Sequence, residues 1–411
     1  MSARFRALRH RNFRLFFAGQ LISLIGTWMQ STAQLWLVYR LTGSAALLGV
    51  FAFSNQIPIL LLSSFGGYIA DRFDRRNGVL WTQTISAILA FVLAALTVPG
   101  IERVWEIILI AFLAGIVNAF DVPIRQAFLV QMTGKDDLPN AIALNSSIFN
   151  SARVVGPALA GFAIAWVGEG WCFLLNGISF LAVIVALLMM RIEPTPPRPA
   201  EGSPLQSLLQ GFRYAMNDQP MRRALLLLSL ISMVGLQYSV LMPVFAHDVL
   251  GRGPRGLGVL MSFAGVGAVL GALNFAARKH YKNLAQWIGA ASATCSFGLV
   301  LFSQSRLFAL SAALLLIIGF AVTSQMAATN TIVQLHVPDH LRGRVMAVYA
   351  TMFMGVQPLG ALLVGGVARR IGAPHALAIF GSVCLLGSLL FIFREVTRPP
   401  RPQPSAAGGS V

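Results

Sequence analysis

A single cation stands in the middle of a long apolar stretch. Arg153 lies near the centre of the apolar run 140–166, and Ser146, Asn150 and Arg153 recur at spacings that place them on one face of a helix. An arginine at the centre of a membrane-spanning helix costs about 2.5–3.5 kcal/mol on insertion scales, so it must face a protein interior or a water-filled cavity. Two interpretations follow: Arg153 contacts an anionic group in a central cavity, or it joins a hydrogen-bond network between helices.

Polar side chains in other apolar runs could line the same cavity. A cavity with polar, apolar and aromatic walls suits amphipathic molecules. Each of these side chains, taken alone, is also typical of packing between membrane helices. The candidates are Gln30, Gln34, Gln237, Tyr238, Gln325, Tyr349 and Gln357.

The elements that position these residues are predicted from composition and hydropathy. Of 411 residues, 56% are hydrophobic and 11% are charged, whereas soluble domains average about 25% charged. A bilayer can accommodate that much apolar surface, and helices are expected because backbone groups in lipid must satisfy one another. The predicted fold is an all-α integral membrane protein with twelve transmembrane helices. The twelve apolar runs are 15–39, 45–70, 78–98, 104–122, 140–166, 170–190, 222–247, 255–277, 284–303, 307–333, 344–368 and 372–393.

The distribution of positive charge predicts the orientation. The formal net charge is +17, but Lys and Arg form short clusters between the apolar runs and do not mark a nucleic-acid-binding domain. With both termini on one side of the membrane, that side carries 23 Lys and Arg residues and the other carries seven. The positive-inside rule therefore predicts cytoplasmic termini. The first apolar run is too long for a signal peptide and is predicted to be the first span.

The two halves of the chain resemble each other in parallel. Residues 21–26 (LISLIG) resemble 230–235 (LISMVG), and Leu-Gly-Val at 48–50 recurs at 257–259, both at an offset of 209. Parallel six-helix repeats are an architecture of membrane transporters. The predicted domains are an N-terminal six-helix bundle at 1–192, a cytoplasmic linker with an amphipathic helix at 193–220, a C-terminal six-helix bundle at 221–398 and a disordered tail at 399–411.

The loop between the second and third runs carries a specific pattern. Gly67, Asp71, Arg72, Arg75 and Arg76 follow the order G-x-x-x-D-R-x-x-R-R. This order resembles the signature loop of the major facilitator superfamily. That loop usually has Gly at the position where this chain has Asp74. The resemblance implies that the loop acts as a conformational latch. The alternative is an ordinary positively charged loop. The equivalent loop of the second half has basic residues but no acidic residue to pair with them.

The end of the fourth run contributes two more charged residues. Asp121 and Arg125 are four positions apart, which suits an ion pair if the helix continues, whereas Pro123 favours a bend or an end there. The resemblance implies that Asp121 pairs with Arg72 or Arg76 of the latch. A solvated charge at the membrane interface is the alternative.

The fifth run contains a proline flanked by small residues. Gly156, Pro157 and Gly161 resemble the G-P-x-x-G-G element of antiporters in this superfamily, with one more residue before the last glycine. The resemblance implies a hinge in this helix. Close packing through small residues is the alternative.

Further motifs at 9–16, 121–126, 151–157 and 241–245 resemble one branch of the superfamily. That branch contains enterobactin-type siderophore exporters, macrolide efflux proteins and a lysophospholipid transporter. The resemblance implies a proton-driven exporter of small amphipathic molecules, drugs or siderophores, that works by alternating access in the bacterial inner membrane. The alternative is a lysophospholipid or lipid transporter of the same fold.

Enzyme chemistry is not expected from this sequence. It contains no phosphate-binding Gly-Lys-Ser/Thr loop, its six His residues form no ligand-spaced cluster, and its three Cys residues lie in apolar runs. No cofactor and no metal are therefore predicted. The expected partners are a small-molecule cargo and the lipid bilayer, with the protein acting as a monomer.

Overall fold

The computed structural model of the chain describes residues 3–72, 74–134, 136–191, 204–278, 283–338 and 341–396, without the side chains of 3–5, 64–72, 204–207 and 396. The prolines at 194–199 and the tail at 399–411 lie outside the described residues.

Twelve long helices, here called spans 1 to 12, account for most of the described chain. Eleven of them have the length and hydropathy of a membrane span, and span 1 is the twelfth helix of the bundle. Span 1 is less apolar because it carries Gln20 and Gln34, which are buried inside the protein. The predicted twelve-helix architecture is confirmed. The spans are Arg11–Thr42, Ala45–Arg72, Arg75–Thr97, Val104–Thr133, Leu138–Val167, Glu169–Met189, Gln219–Val249, Gly253–Ala276, Leu284–Gln304, Phe308–His336, Arg342–Ile371 and Ala373–Val396.

Two spans of the second half are interrupted. Span 7 passes through a π-helical turn at Ile231–Gly235 and a second one at Phe245–Val249. Span 11 contains a π-helical turn at Thr351–Gly355. Such turns release backbone groups from the regular α-helical pattern and recur at functional sites.

The helices pack in the same way in both halves. Span 2 packs on span 4 and span 3 on span 6, just as span 8 packs on span 10 and span 9 on span 12. The halves join through spans 5 and 8 and through spans 2 and 11. Equivalent spans therefore supply the two contacts, as expected for parallel repeats.

One end of the bundle, the termini face, carries the start of span 1 and the end of span 12. Asn12 donates a hydrogen bond to the Arg191 carbonyl oxygen at 2.8 Å, and Arg223 donates to the Arg394 carbonyl oxygen at 3.2 Å. A linker helix, Pro204–Asn217, lies at this face and packs on the start of span 11. The opposite end is the far face.

Span 4 is longer than the sequence predicts. The apolar run ends at 122, but the helix continues through Pro123 to Thr133. A proline removes one backbone donor, and membrane helices tolerate this where neighbouring groups satisfy the freed carbonyl oxygen. The continuation places Asp121 and Arg125 on one helical face.

Candidate functional site

The contact between spans 5 and 8 depends on two glycines. A Cβ atom on Gly161 would lie 2.9 Å from the Pro254 carbonyl oxygen, and one on Gly258 would lie 2.6 Å from the Pro157 carbonyl oxygen. Only glycine permits backbones to approach this closely. Pro157 itself lies inside an unbroken helix, so its expected hinge role stays a prediction.

The contact between spans 2 and 11 repeats this arrangement. A Cβ atom on Gly49 would lie 2.5 Å from the Ala361 carbonyl oxygen, and one on Gly365 would lie 2.8 Å from the Ala45 carbonyl oxygen. Gly49 and Gly258 are the glycines of the repeated Leu-Gly-Val segment. All four glycines lie within seven residues of the far-face end of their spans, so both close contacts hold the halves together near that face.

A cluster of side chains, the far-face clasp, also joins the halves. It consists of Trp36 and Tyr39 of span 1 with His247 and Asp248 of span 7. The Tyr39 hydroxyl donates a hydrogen bond to Asp248 Oδ2, and His247 Nδ1 lies 2.7 Å from Asp248 Oδ1. The rings of Trp36 and Tyr39 each lie 6.0 Å from the His247 ring. The clasp therefore combines a hydrogen bond and ring contacts across the interface.

An ion-pair cluster lies next to the clasp in the first half. Arg40 Nε lies 2.7 Å from Glu169 Oε1, and Arg40 Nη2 lies 3.3 Å from Glu102 Oε1. Both carboxylates are buried, and Glu102 Oε2 has no hydrogen-bond partner among the described residues. Arg40 thus links the far-face ends of spans 1 and 6 to Glu102, which lies two residues before span 4.

Sequence reasoning missed the clasp, although the repeat contains a signal for it. Tyr39 and Asp248 are separated by 209 residues, which is the offset of the repeat. Residues at equivalent positions can meet only beside the axis that relates the halves. A search for polar residues paired at the repeat offset would have found them.

Arg153 lies where spans 1, 5, 7 and 8 come together. Its guanidinium carbon lies 5.9 Å from the centre of the Trp28 ring, and the buried Tyr238 of span 7 interacts with it electrostatically. A Cβ atom on Gly265 would lie 3.0 Å from the Arg153 carbonyl oxygen, so span 8 packs directly on its backbone. Arg153 therefore stands at the junction of the two halves.

The other first-half cavity candidates lie near Arg153 in sequence or on span 1. Asn150 donates to the Ser146 carbonyl oxygen at 2.8 Å, so both remain on the stripe that the spacing predicts. Gln30 accepts a hydrogen bond from Asn176 at 2.8 Å, which ties span 1 to span 6. Gln34 is buried, and its Nε2 atom has no partner among the described residues.

The second-half candidates gather at the break in span 7. The Ser232 hydroxyl donates to the Phe353 carbonyl oxygen of span 11 and accepts from Gln357 Nε2 at 3.2 Å. Gln237 Nε2 donates to the Ser232 carbonyl oxygen at 3.1 Å. Side chains therefore bond to carbonyl oxygens within the π-helical turns at Ile231–Gly235 and Thr351–Gly355. We call Ser232, Gln237, Phe353 and Gln357 the span 7–11 node.

The remaining two candidates make no described hydrogen bond to this node, although the Tyr349 ring lies 6.4 Å from the Phe353 ring. The Tyr349 hydroxyl donates to the Met326 carbonyl oxygen of span 10 at 3.3 Å. Gln325 is 1% exposed, and neither of its side-chain polar atoms has a partner among the described residues. The structure therefore does not join Tyr349 and Gln325 to Arg153 by any described contact.

Asp121 is the centre of a hydrogen-bonded cluster between spans 3 and 4. Its Oδ2 atom lies 3.2 Å from Arg125 Nε, and its Oδ1 atom accepts from Thr82 at 2.6 Å and from Gln83 at 3.0 Å. The ion pair predicted from the four-residue spacing is present because span 4 continues past its proline.

The latch arginines bind elsewhere in this structure. Arg76 donates to the carbonyl oxygens of Leu187 and Leu188 at 2.8 and 3.2 Å, and Arg75 donates to the Ala127 carbonyl oxygen at 3.5 Å. The expected Arg76–Asp121 pair is therefore absent, because the end of span 6 supplies acceptors for Arg76 while Arg125 pairs with the carboxylate. The side chains of Gly67, Asp71 and Arg72 lie outside the described residues.

A groove of about 700 Å³ opens between spans 3 and 4. Its walls include Trp81, Ile85 and Phe120, and Trp81 is 67% exposed. The groove lies on the outer surface of the first half and is separate from the interface between the halves. Within the described residues, no group of three or more His, Cys, Asp or Glu side chains could hold a metal ion.

Known proteins similar to this chain are membrane transporters. It is 27% identical over 390 residues to the staphyloferrin A transporter of Staphylococcus aureus, covering 93% of this chain and 96% of that protein. It is 28% identical over 366 residues to the multidrug efflux pump Tap of Mycolicibacterium fortuitum, covering 86% and 88% of the two chains. It is 26% identical over 428 residues to the enterobactin exporter EntS of Escherichia coli O157:H7, covering 97% and 96%.

Solved structures share the fold. A mutant of the nucleoside transporter NupG superposes with a TM-score of 0.73 at 14% sequence identity and covers 94% of this chain and 99% of that chain. A bacterial homologue of the human lysosomal transporter Spinster, inward-facing and occupied, also gives 0.73 at 14% identity, covering 95% and 97%. The model of the transmembrane secretion effector family matches residues 2–403. This protein, with its twelve spans in two joined halves, belongs to that family of major facilitator superfamily transporters.

Proposed function

We propose that this transporter exports small amphipathic molecules, drugs or siderophores, from the cytoplasm by alternating access, driven by the proton gradient. The observation that carries the proposal is the position of the contacts between the halves. Glycine crossings and the clasp hold the halves together near the far face, while the half-buried Arg153 lies at their junction deeper in the membrane. A transporter open toward its termini face has this arrangement.

The charge distribution supports the direction of this opening. Because the side with the termini carries most of the Lys and Arg residues, it is assigned to the cytoplasm of a bacterial inner membrane. The far face then faces outward, and the cavity in this conformation would load cargo from inside. The names of the three relatives, two of them exporters or efflux pumps, support export.

The energy source and the working unit are further parts of the proposal. Buried Asp121 is the carboxylate that the sequence offers for proton coupling, and its ion pair with Arg125 would have to loosen when a proton binds. One chain contains both halves of the interface, so a monomer is sufficient for alternating access.

Transport by purified protein in liposomes tests the proposal. Labelled enterobactin and staphyloferrin A are the first probes, and counterflow is measured with and without a pH gradient, with protein-free liposomes as the control. We expect carrier-dependent movement of at least one probe, faster with the gradient. Transport that is indifferent to the gradient contradicts proton coupling, and translocation of labelled lysophospholipid alone supports the alternative lipid transporter.

A further inference from the structure

The positive charge of Arg153 has no protein counter-charge among the described residues. Nine of the ten described carboxylates are engaged elsewhere, at helix caps or with other cations. They are Asp74 and Asp218 at helix starts, Glu106 with the Arg103 backbone, Glu102 and Glu169 with Arg40, Asp121 with Arg125, Asp137 with Arg6 and His10, Asp248 with Tyr39 and His247, and Glu395 with Arg223. The tenth, Asp136, is exposed at the termini face.

Distance along the helix separates Arg153 from the carboxylates at the termini face. Arg153 lies 16 residues after Asp137, which corresponds to about 24 Å along the helix. A guanidinium has five N–H donors in a planar fork. No hydrogen bond from Arg153 to another described residue is found, and its described contact is the face of Trp28. The fork is therefore free to receive an anion.

Groups from both halves surround that position. Trp28 of span 1 presents an aromatic face 5.9 Å from the guanidinium carbon, and its ring packs against Phe149 at 5.7 Å. The buried Tyr238 follows the first break in span 7, in the opposite half, and lies within electrostatic range of the Arg153 guanidinium. An ion held here would touch both halves and stand beside an interrupted helix.

We propose that Arg153, Trp28 and Tyr238 form the subsite for an anionic group of the cargo, so that the transported class is planar aromatic carboxylates rather than cationic amphiphiles. This inference rests on the proposed transport of amphipathic molecules. A carboxylate matches the guanidinium fork with two parallel hydrogen bonds. The aromatic part of the cargo stacks beside Trp28, and the uncompensated positive charge excludes cations of the same shape.

Binding of two molecules of like shape and opposite charge tests the inference. The probes are 2-naphthoate and 2-naphthylmethylammonium, measured by calorimetric titration of the purified full-length protein in detergent. We expect native protein to bind the carboxylate at least tenfold more tightly, Arg153→Ala to lose that preference, and Arg153→Lys to keep part of it. Tyr238→Phe is expected to weaken carboxylate binding by two- to fivefold.

A matched control exists at the far face. Arg252 also stacks on an aromatic ring, 5.6 Å from the centre of Phe308, but it lies at the start of span 8. Arg252→Ala should leave the preference unchanged. Thermal unfolding of each variant checks folding, and Arg153→Lys keeps the test valid if Arg153→Ala does not fold.

The outcomes separate this inference from the proposed function. Native protein that binds the carboxylate no more tightly than the ammonium, or binds neither, overturns the subsite even if counterflow succeeds. An equal preference in native and Arg153→Ala proteins overturns it as well. Naphthoate binding that depends on Arg153, in a protein that moves neither the siderophores nor labelled 2-naphthoate across liposomes, sustains the subsite and refutes the exporter.

Discussion

Spans 1 and 5 run unbroken through the first half, whereas their counterparts in the second half, spans 7 and 11, are interrupted. The π-helical turns at Ile231–Gly235 and Thr351–Gly355 meet in the span 7–11 node, where side chains replace the lost helical hydrogen bonds. The halves therefore share a fold but not a mechanical character. The first half holds the charge, Arg153, on a continuous helix, and the second half contains helices interrupted by π-helical turns.

The close contacts between the two halves, unlike the helices themselves, are nearly symmetric. Spans 2 and 11 cross at a glycine pair, and spans 5 and 8 do so at an equivalent pair. The clasp joins Tyr39 to Asp248, which are equivalent positions themselves. The contacts at the far face are therefore symmetric, whereas the helices of the two halves differ in the interior. Each prediction below tests one side of this contrast.

The largest effect is expected at the glycine crossings. Gly49→Leu and Gly258→Leu each place a side chain against a backbone carbonyl oxygen. Overpacking of this kind costs roughly 1–3 kcal/mol, which is a shift of roughly 5- to 150-fold away from the far-face-closed state. The measurement is the distance between spin labels at Thr42→Cys and Leu250→Cys, which should lengthen similarly in both variants.

A glycine without a close neighbour provides the control for the crossings. Gly366 of span 11 has nothing within 4 Å of the position of its Cβ atom, so Gly366→Leu should leave the spin-label distance unchanged. If only one of the two crossing variants opens the far face, the symmetry of the closure is refuted.

The next effect concerns the span 7–11 node. Ser232→Ala removes two hydrogen bonds, the one that the hydroxyl donates to Phe353 and the one that it accepts from Gln357. Gln357 Nε2 still donates to the Phe353 carbonyl oxygen at 3.2 Å, so both groups keep a partner. Each hydrogen bond contributes about 0.5–1.5 kcal/mol, so the loss of two should lower the free energy of unfolding by about 1–3 kcal/mol. Thermal and denaturant unfolding in detergent measure it.

The repeat supplies a matched variant for this substitution. Ser23 of span 1 occupies the equivalent position in the first half, on an uninterrupted helix. Ser23→Ala should cost less than Ser232→Ala because no helix break depends on it. Equal losses of stability would show that the node has no special role and would remove the mechanical contrast between the halves.

A smaller effect is expected at the far-face clasp. Tyr39→Phe removes the hydroxyl that bonds to Asp248 and keeps the ring that contacts His247. One hydrogen bond contributes about 0.5–1.5 kcal/mol, so the ratio of far-face-closed to far-face-open protein should fall by roughly 2- to 13-fold. The same spin labels report it. Tyr349→Phe removes a hydroxyl bonded within the second half and should not move the distance.

Much of the fold could be predicted because the hydropathy, the charge distribution and the internal repeat can be read directly from the sequence. The spans, their pairing as two halves and the Asp121–Arg125 pair follow from such local patterns. The helix breaks could not be predicted, since Ile231–Gly235 closely resembles an unbroken segment of span 1, residues 22–26. The hydrogen-bond partners of Arg76 could not be predicted either. They depend on the tertiary contact between Arg76 and the end of span 6, and the spacing of residues in the sequence does not reveal that contact.

The smallest effect on stability is expected where the latch loop meets span 3. The equivalent position in the second half provides the comparison. Asp74 caps span 3 by accepting a hydrogen bond from the Asn77 backbone at 2.8 Å. Its counterpart Asn283 precedes span 9 with a left-handed φ of 59° and makes no cap hydrogen bond.

Substitution by Gly should therefore change the free energy of unfolding in opposite directions at the two positions. Asp74→Gly loses a cap at a cost of a few tenths of a kcal/mol because glycine is itself tolerated there, and this explains how the superfamily can place glycine at this position. Asn283→Gly relieves backbone strain and should stabilise the protein by less than about 1 kcal/mol. Precise thermal unfolding of the two single variants measures both, and a stabilising Asp74→Gly would mean that the aspartate serves the loop's conformational role at the expense of the helix.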